Sequence, residues 1–269
     1  MGYSLQVAQK KFIQYLKNQR RASATILAYG KDISQFIEYL AKKQVAQVES
    51  VATENIENFK EYLKENKYLN KSICRKLNSI KTFFRFLKSQ NLIKNDPAAL
   101  VSHPQYETTP PKFLSKIEYR ALRDCARNDP RASVIIELLL QTGMKIGELS
   151  RLELDDIKDN EIKIRPYESQ PGRTIPLNSA AKRAIQRWLD FRPKTNNKSF
   201  LITRTGRPLL VRNIRAALNR LFQKAGLKDI TVNSLRHTFI AHQLMAGVPI
   251  NLIQKIVGHK RLSTTEKIS

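Results

Sequence analysis

Apolar residues recur every three to four positions through most of the first 90 residues, the spacing of helices that bury one face. Leu5, Val7, Ala8, Phe12, Ile13 and Leu16 predict a first helix. Ile26, Tyr29, Ile33, Phe36, Ile37 and Leu40 stripe a second, with Ser23-Ala24-Thr25 as its cap. A third runs through Ile56, Phe59, Tyr62 and Leu63, opened by a Thr53 N-cap with an acid in the first turn. A fourth starts at Asn70 or Ser72 and runs through Ile73, Leu77, Ile80, Phe83, Phe84 and Leu87. Four helices of this length make a small all-α domain over residues 1–101.

Residues 102–112, with Pro104, Pro110 and Pro111, read as an extended linker. From residue 113 to 269 the pattern changes. Ser115 and Glu118 have the spacing of a capping box. Val134 to Leu140 is a strongly apolar helix closed by Thr142-Gly143. Residues 161–165 and 173–177 alternate as short strands around a turn containing Pro171-Gly172. Further helices are expected near 179–191, 211–225, 234–246 and 249–257, with Gly226, Gly247 and Gly258 as stops. The expected fold is mainly α: a four-helix domain, a linker, and an α+β domain with a small sheet.

Charge narrows the function. Lys and Arg number 48 against 23 Asp and Glu, a net +25 over 269 residues. Both parts share it: residues 1–111 carry 18 basic and 9 acidic groups, and the remainder 30 and 14. A field of one sign over two domains attracts polyanions, and nucleic acid is the expected partner. No apolar run is long enough to span a membrane, so no membrane partner is expected. Cys74 and Cys125 give neither a disulfide framework nor a metal spacing. No metal and no cofactor is expected, and the thiols suit a reducing compartment: the cytoplasm, at the nucleoid, or an organelle.

The chemistry concentrates near the end. Asn233-Ser234-Leu235-Arg236-His237-Thr238-Phe239, then Gly258-His259, then Ser263-Thr264-Thr265-Glu266-Lys267-Ile268 resemble the C-terminal half of the tyrosine recombinase family (phage integrase, Xer-like). The stretch from Leu139 to Leu152 resembles that family's first signature box, and Ser23 to Asp32 the opening of its second helix. The resemblance implies a SAM-like core-binding domain followed by a catalytic-type domain. It also implies double-stranded DNA as partner, bound together with a second copy or another recombinase.

The family's reaction uses a tyrosine nucleophile on a backbone phosphate. Two arginines neutralise the phosphate oxygens, a hairpin lysine protonates the leaving hydroxyl, one histidine supports proton movement, and a second histidine or a tryptophan holds the scissile phosphate. Matched residue by residue, the resemblance retains Arg236 and His259. It finds Lys145 in place of the first arginine, without the planar fork, and Asn233 in place of the first histidine. Asn233 can cap a helix but cannot take a proton near neutral pH. Counting back from Arg173, Glu168 falls at the lysine position. No lysine lies between Lys163 and Lys182, and Lys163 itself is expected on a strand. Ile268 stands where the tyrosine should be, and no tyrosine follows Tyr167. His237 is expected to pack or cap, and His103 and His242 stand apart from any constellation.

These losses fall on chemistry, while the helix stripes and basic surface remain. The expected function is DNA binding without cutting and rejoining, as a pseudo-enzyme of that family. Two alternatives stand beside it: an active or deliberately inactivated recombinase, and a regulatory or architectural partner of a competent one. Candidate DNA contacts are Lys81, Arg85 and Lys88 on the fourth helix, then Lys145, Arg173, Arg204, Arg207, Arg212, Arg215 and Arg236.

Overall fold

A computed structural model describes residues 3–107 and 109–268. The chain divides into two compact units, with the boundary in sequence between residues 108 and 109.

The first unit is four helices: α1 (Leu5–Asn18), α2 (Ser23–Lys42), α3 (Thr53–Glu65) and α4 (Asn70–Ser89). Helices of 13 to 20 residues are marginal alone in water. Packing of their apolar stripes holds them. Phe12, Phe36, Phe59, Phe83 and Phe84 are fully buried, each worth roughly 1.5–3 kcal/mol over exposure. Phe12 meets Phe83 edge-on at 5.4 Å, and Phe36 meets Phe59 at 5.1 Å. One charged cluster lies inside this unit. Asp32 of α2, 2% exposed, accepts from Arg75, Lys76 and the Ser79 hydroxyl of α4. A buried carboxylate is tolerable only when so satisfied.

The second unit is built around α6 (Pro130–Thr142), packed by α5 (Lys116–Ala126), α8 (Ser179–Phe191), α9 (Val211–Lys224) and α10 (Val232–Met245). This position, enclosed by helices, explains the unbroken apolar run from Val134 to Leu140. Between α7 (Ile146–Arg151) and α8 lies one antiparallel hairpin, β1 (Glu161–Ile164) with β2 (Arg173–Pro176). Ile162 faces Ile175, and Ile164 faces Arg173. Beyond β1 the chain turns at Glu168-Ser169, between the bridged pair Tyr167 and Gln170. The last elements are α11 (Ile250–Val257) and the single turn α12 (Ser263–Glu266).

Helix stripes, strands and glycine stops fall where the pattern puts them, except that Val7 of the first stripe is exposed, and Ser115 with Glu118 forms the expected capping box. Three caps differ. Ser23 and Thr53 are the first residues of their helices, not the caps, which are Ala22 and Ala52. At α3 it is the Asn55 side chain that reaches back to accept from the Ala52 amide. Asn233 does not cap α10. Thr231 does, its hydroxyl accepting from the Ser234 amide.

Candidate phosphate-binding site

Five elements of the second unit bring their ends together. α6 ends at Gly143, α7 begins after Lys145, β2 begins at Arg173, α10 carries Arg236, and α11 ends at Gly258-His259. Arg236, 7% exposed, donates from Nη1 to the Gly143 carbonyl at 2.5 Å and from Nη2 to the Val257 carbonyl at 2.7 Å. One guanidinium thereby ties the end of α6 to the end of α11. Helix ends leave their last carbonyls without intrahelical donors, so this is where a buried cation finds acceptors.

Arg173 holds the same corner from the hairpin. Its Nε donates to the Ile256 carbonyl at 2.6 Å, and its two Nη atoms donate to the two Glu148 oxygens at 2.8 Å each. Glu148 Oε2 also accepts from the Lys145 backbone amide at 2.8 Å. Gly258 sits at φ +70°, and a Cβ there would lie 3.0 Å from Arg173 Nη1. Glycine is needed both for the left-handed turn and for that close approach. Lys145 Nζ reaches across to Gln170 Oε1 at 2.9 Å, beside the hairpin turn. His259 Nδ1 lies 2.9 Å from the Thr265 hydroxyl, and Thr265 is fully buried.

A cavity of about 460 Å³ opens here, lined by residues including Gln170, Gly172, Arg173, Gln254, Gly258 and His259. Lys145, Arg173, Arg236 and Lys260 act electrostatically on its surroundings, with Glu148 as their principal counter-charge. Burial brings Arg236 down to about 10, still charged at neutral pH, with Glu148 opposing the fall and Arg173 adding to it. Burial also lowers Lys145, which Glu148 partly offsets and Arg236 deepens. His259 falls to about 4, first through burial and then through Arg236, Lys145, His237 and Arg173. Its ring is therefore neutral at pH 7. Burial alone would raise Glu148. The Arg173 hydrogen bonds and charge outweigh burial and hold the carboxyl below its usual range. A half-open pocket with excess positive charge and a neutral imidazole can take an oxyanion.

Glu168 is exposed on the hairpin turn with φ +50°, a left-handed conformation uncommon for a residue with a side chain. Asn233 is exposed in the first turn of α10 and lines a different groove with Arg215 and Asn219. Lys163 is on β1 and exposed. Ile268 is 6% exposed and belongs to a small apolar cluster with Phe239, Ile240, Ala241, Ile253 and Val257. His237 is half-buried, and its Nδ1 has no hydrogen-bond partner among the described residues.

Among the candidate DNA contacts, Arg85, Lys88, Arg204, Arg207, Arg212 and Arg215 are exposed, and Lys81 is half-buried. Arg173 differs, with an 11% exposed side chain spent on Glu148 and Ile256. Sequence reasoning missed Glu148, Gln170, Thr265 and Lys260 as neighbours of the pocket. Only Glu148 had a signal: it stands three residues after Lys145, the spacing at which a carboxylate reaches back to a helix's first amide. Among the described residues no group of three or more His, Cys, Asp or Glu could hold a metal ion, and no helix is long and apolar enough to cross a membrane.

The chain belongs to the phage integrase family, which matches residues 112–268; the phage integrase N-terminal SAM-like domain matches residues 10–91. The tyrosine recombinase XerC of Staphylococcus epidermidis is 31% identical over 267 residues, 96% of this chain and 90% of that protein. The XerC of Listeria innocua is 30% identical over 273 residues, 96% and 91%. Among solved structures, the XerA recombinase is similar at 26% identity with a TM-score of 0.56, over 97% of this chain and 92% of that one. A lambda integrase dimer bound to a COC′ core site shares the fold with a TM-score of 0.82 at 16% identity, over 99% and 77%.

Proposed function

We propose that this protein binds duplex DNA through its phosphates and does not cut it by the family's covalent route. The observation that carries the second half is Ile268. The family resemblance assigns that place to the nucleophile. The side chain there has no oxygen and is packed into an apolar cluster. Lys145, Glu168 and Asn233 replace three further groups of the same reaction. Losing one transition-state contact costs about 10²–10³ in rate, and losing the nucleophile removes the route.

Binding is supported by the pocket and the surface. Arg236 and Lys145 supply charge to hold a phosphate, and neutral His259 can donate a hydrogen bond to it from Nε2. Lys81, Arg85, Lys88, Arg204, Arg207, Arg212 and Arg215 would meet flanking phosphates. Arg173 is better read as the brace that holds Glu148 and α11 in place. The Tn1549 transposon integrase has been solved in complex with a circular intermediate DNA, and lambda integrase as a dimer bound to a core site and as a tetramer bound to a Holliday junction. Assembly of copies on DNA is therefore part of the proposal.

The experiment is binding to a labelled duplex over a salt series, with strand integrity followed in the same tubes. Salt-sensitive binding with intact strands is expected. No binding below micromolar protein at moderate salt would end the DNA reading.

A further inference from the structure

The exposed face of α4 is a row rather than a scatter. Lys71, Arg75, Asn78, Thr82 and Arg85 are spaced four, three, four and three residues apart, so they share one side of the helix. Lys81 and Lys88 flank it, and the whole helix has no acidic residue. From Lys71 to Lys88 the row covers about 25 Å at the helical rise. A cationic helix face of that length fits the major groove of a duplex, whose phosphates lie on either side of the inserted helix.

Three members of the row are already held by side-chain or backbone partners. Arg75 donates from both terminal nitrogens to the two Asp32 oxygens. Arg85 Nε donates to the Lys81 carbonyl, and the Thr82 hydroxyl donates to the Asn78 carbonyl at 2.7 Å. Asn78, in the middle, is the row's exposed amide. Its Oδ1 lies 3.0 Å from Nε2 of His103, while its Nδ2 has no partner among the described residues. His103 does not reach Asn78 by chance contact of a loose loop. The segment 103–105 runs antiparallel to α4 and is pinned once per helical turn. The Asn70 amide donates to the Gln105 carbonyl at 2.8 Å, and the Cys74 thiol donates to the Pro104 carbonyl at 3.2 Å. His103 with Asn78 completes the set. Asn70, Cys74 and Asn78 are successive members of one i, i+4 ridge.

We propose that Asn78 is a base-reading residue, and that His103, delivered by this strap, fixes its amide so that the Nδ2 protons face the groove. The assignment rests on the DNA-binding reading. Phosphate contacts carry register and affinity but no sequence information, and base edges must be read by groups such as amides. A fixed amide donor favours acceptor edges, N7 and O6 of guanine or O4 of thymine. A freely rotating amide would discriminate less. His103 is held below its usual range by burial and by Lys81 and Lys60, so its ring is neutral and its Nε2 proton can be given to Asn78 Oδ1.

The test begins with wild-type protein and a pool of random duplexes, from which its preferred site is selected. Affinity for that site and for a scrambled duplex is then measured for wild type, Asn78→Ala, His103→Ala and His103→Gln, with a thermal melt of each. Asn78→Ala is expected to lose roughly tenfold on the preferred site. Its scrambled-duplex affinity, salt slope and melting temperature should stay near wild type. His103→Ala should lose part of the same discrimination, and His103→Gln, which restores an N–H donor, should recover it. Equal loss on both duplexes would reduce Asn78 to a general surface contact and overturn the proposal. So would unchanged discrimination in Asn78→Ala, or a wild-type protein that binds every duplex equally. Wild-type protein that binds no duplex would instead remove the DNA reading beneath it.

Discussion

Glu148 and Arg173 are joined at two points, 2.8 Å each, with side chains 5% and 11% exposed. The pair links α7 to the hairpin, and through the Ile256 carbonyl to α11. Breaking such a pair leaves a buried charge alone, at a cost of about 3 kcal/mol or more. Glu148→Gln should therefore lower stability by about that amount in denaturant unfolding. It also has a pH signature. A carboxyl held below its usual range stabilises the fold fully above the unfolded value, and that stability drains away as pH falls through the folded value. The variant should lose that acid-limb slope. A wild-type-like stability and slope would show that the pair is incidental.

His259 titrates at about 4, well below an ordinary imidazole. The unfolded chain binds this proton first as pH falls, so stability drops between about 6.5 and 4 and is unaffected by this group above that window. A bound phosphate adds negative charge beside the ring and should raise its midpoint. Imidazole proton NMR across pH 3.5–8, with and without a short duplex, reads both. An apo midpoint near 6.5, or one that DNA does not move, contradicts the pocket as described.

Arg173 and Arg215 separate bracing from binding. Arg215 is exposed on α9, and Arg215→Gln should reduce the slope of log affinity against log salt by about 1 with stability unchanged. Arg173→Gln should do the reverse, lowering the melting temperature with little change in slope. If the two variants exchange these effects, the division between brace and phosphate contact is wrong.

Much of this fold was legible because helix burial repeats at a fixed period. The stripes of α1 to α4 and the apolar run of α6 announce themselves, and so do the glycines that end α6, α9, α10 and α11. The caps at Ser23, Thr53 and Asn233 were misplaced by one or two residues. At α10 two polar residues could serve and the backbone turn chooses Thr231, while at α2 and α3 the turn puts an alanine, with no capping side chain, at the cap position. The site was legible as a set of family positions but not as a network. Nothing in the order of residues shows that Arg236 would spend two donors on the Gly143 and Val257 carbonyls. Nor does it show that Arg173 would face Glu148 rather than solvent, since these contacts join elements 21 to 93 residues apart in the chain. The same holds for the strap along α4, whose contacts join residues 25 to 35 apart.

Ile268 acts as a packing residue in the second unit. Its burial with Phe239, Ile253 and Val257 predicts that Ile268→Ala costs about 2 kcal/mol or more. Ile268→Tyr should be destabilised too, because the ring overfills the same cluster. Equilibrium unfolding of the two variants checks this, and unchanged stability in both would mean the side chain is not anchored there.

The most direct test is a covalent one. A duplex with a nick beside the selected binding site lets the cut fragment diffuse away, so any phosphotyrosyl link accumulates. Wild-type protein at saturating concentration should yield no denaturant-stable protein–DNA adduct. The combined variant Lys145→Arg, Glu168→Lys, Asn233→His and Ile268→Tyr places the family's residue types at the four positions the resemblance assigns to them, and should yield one if it folds. An adduct formed by the wild-type chain would contradict the account.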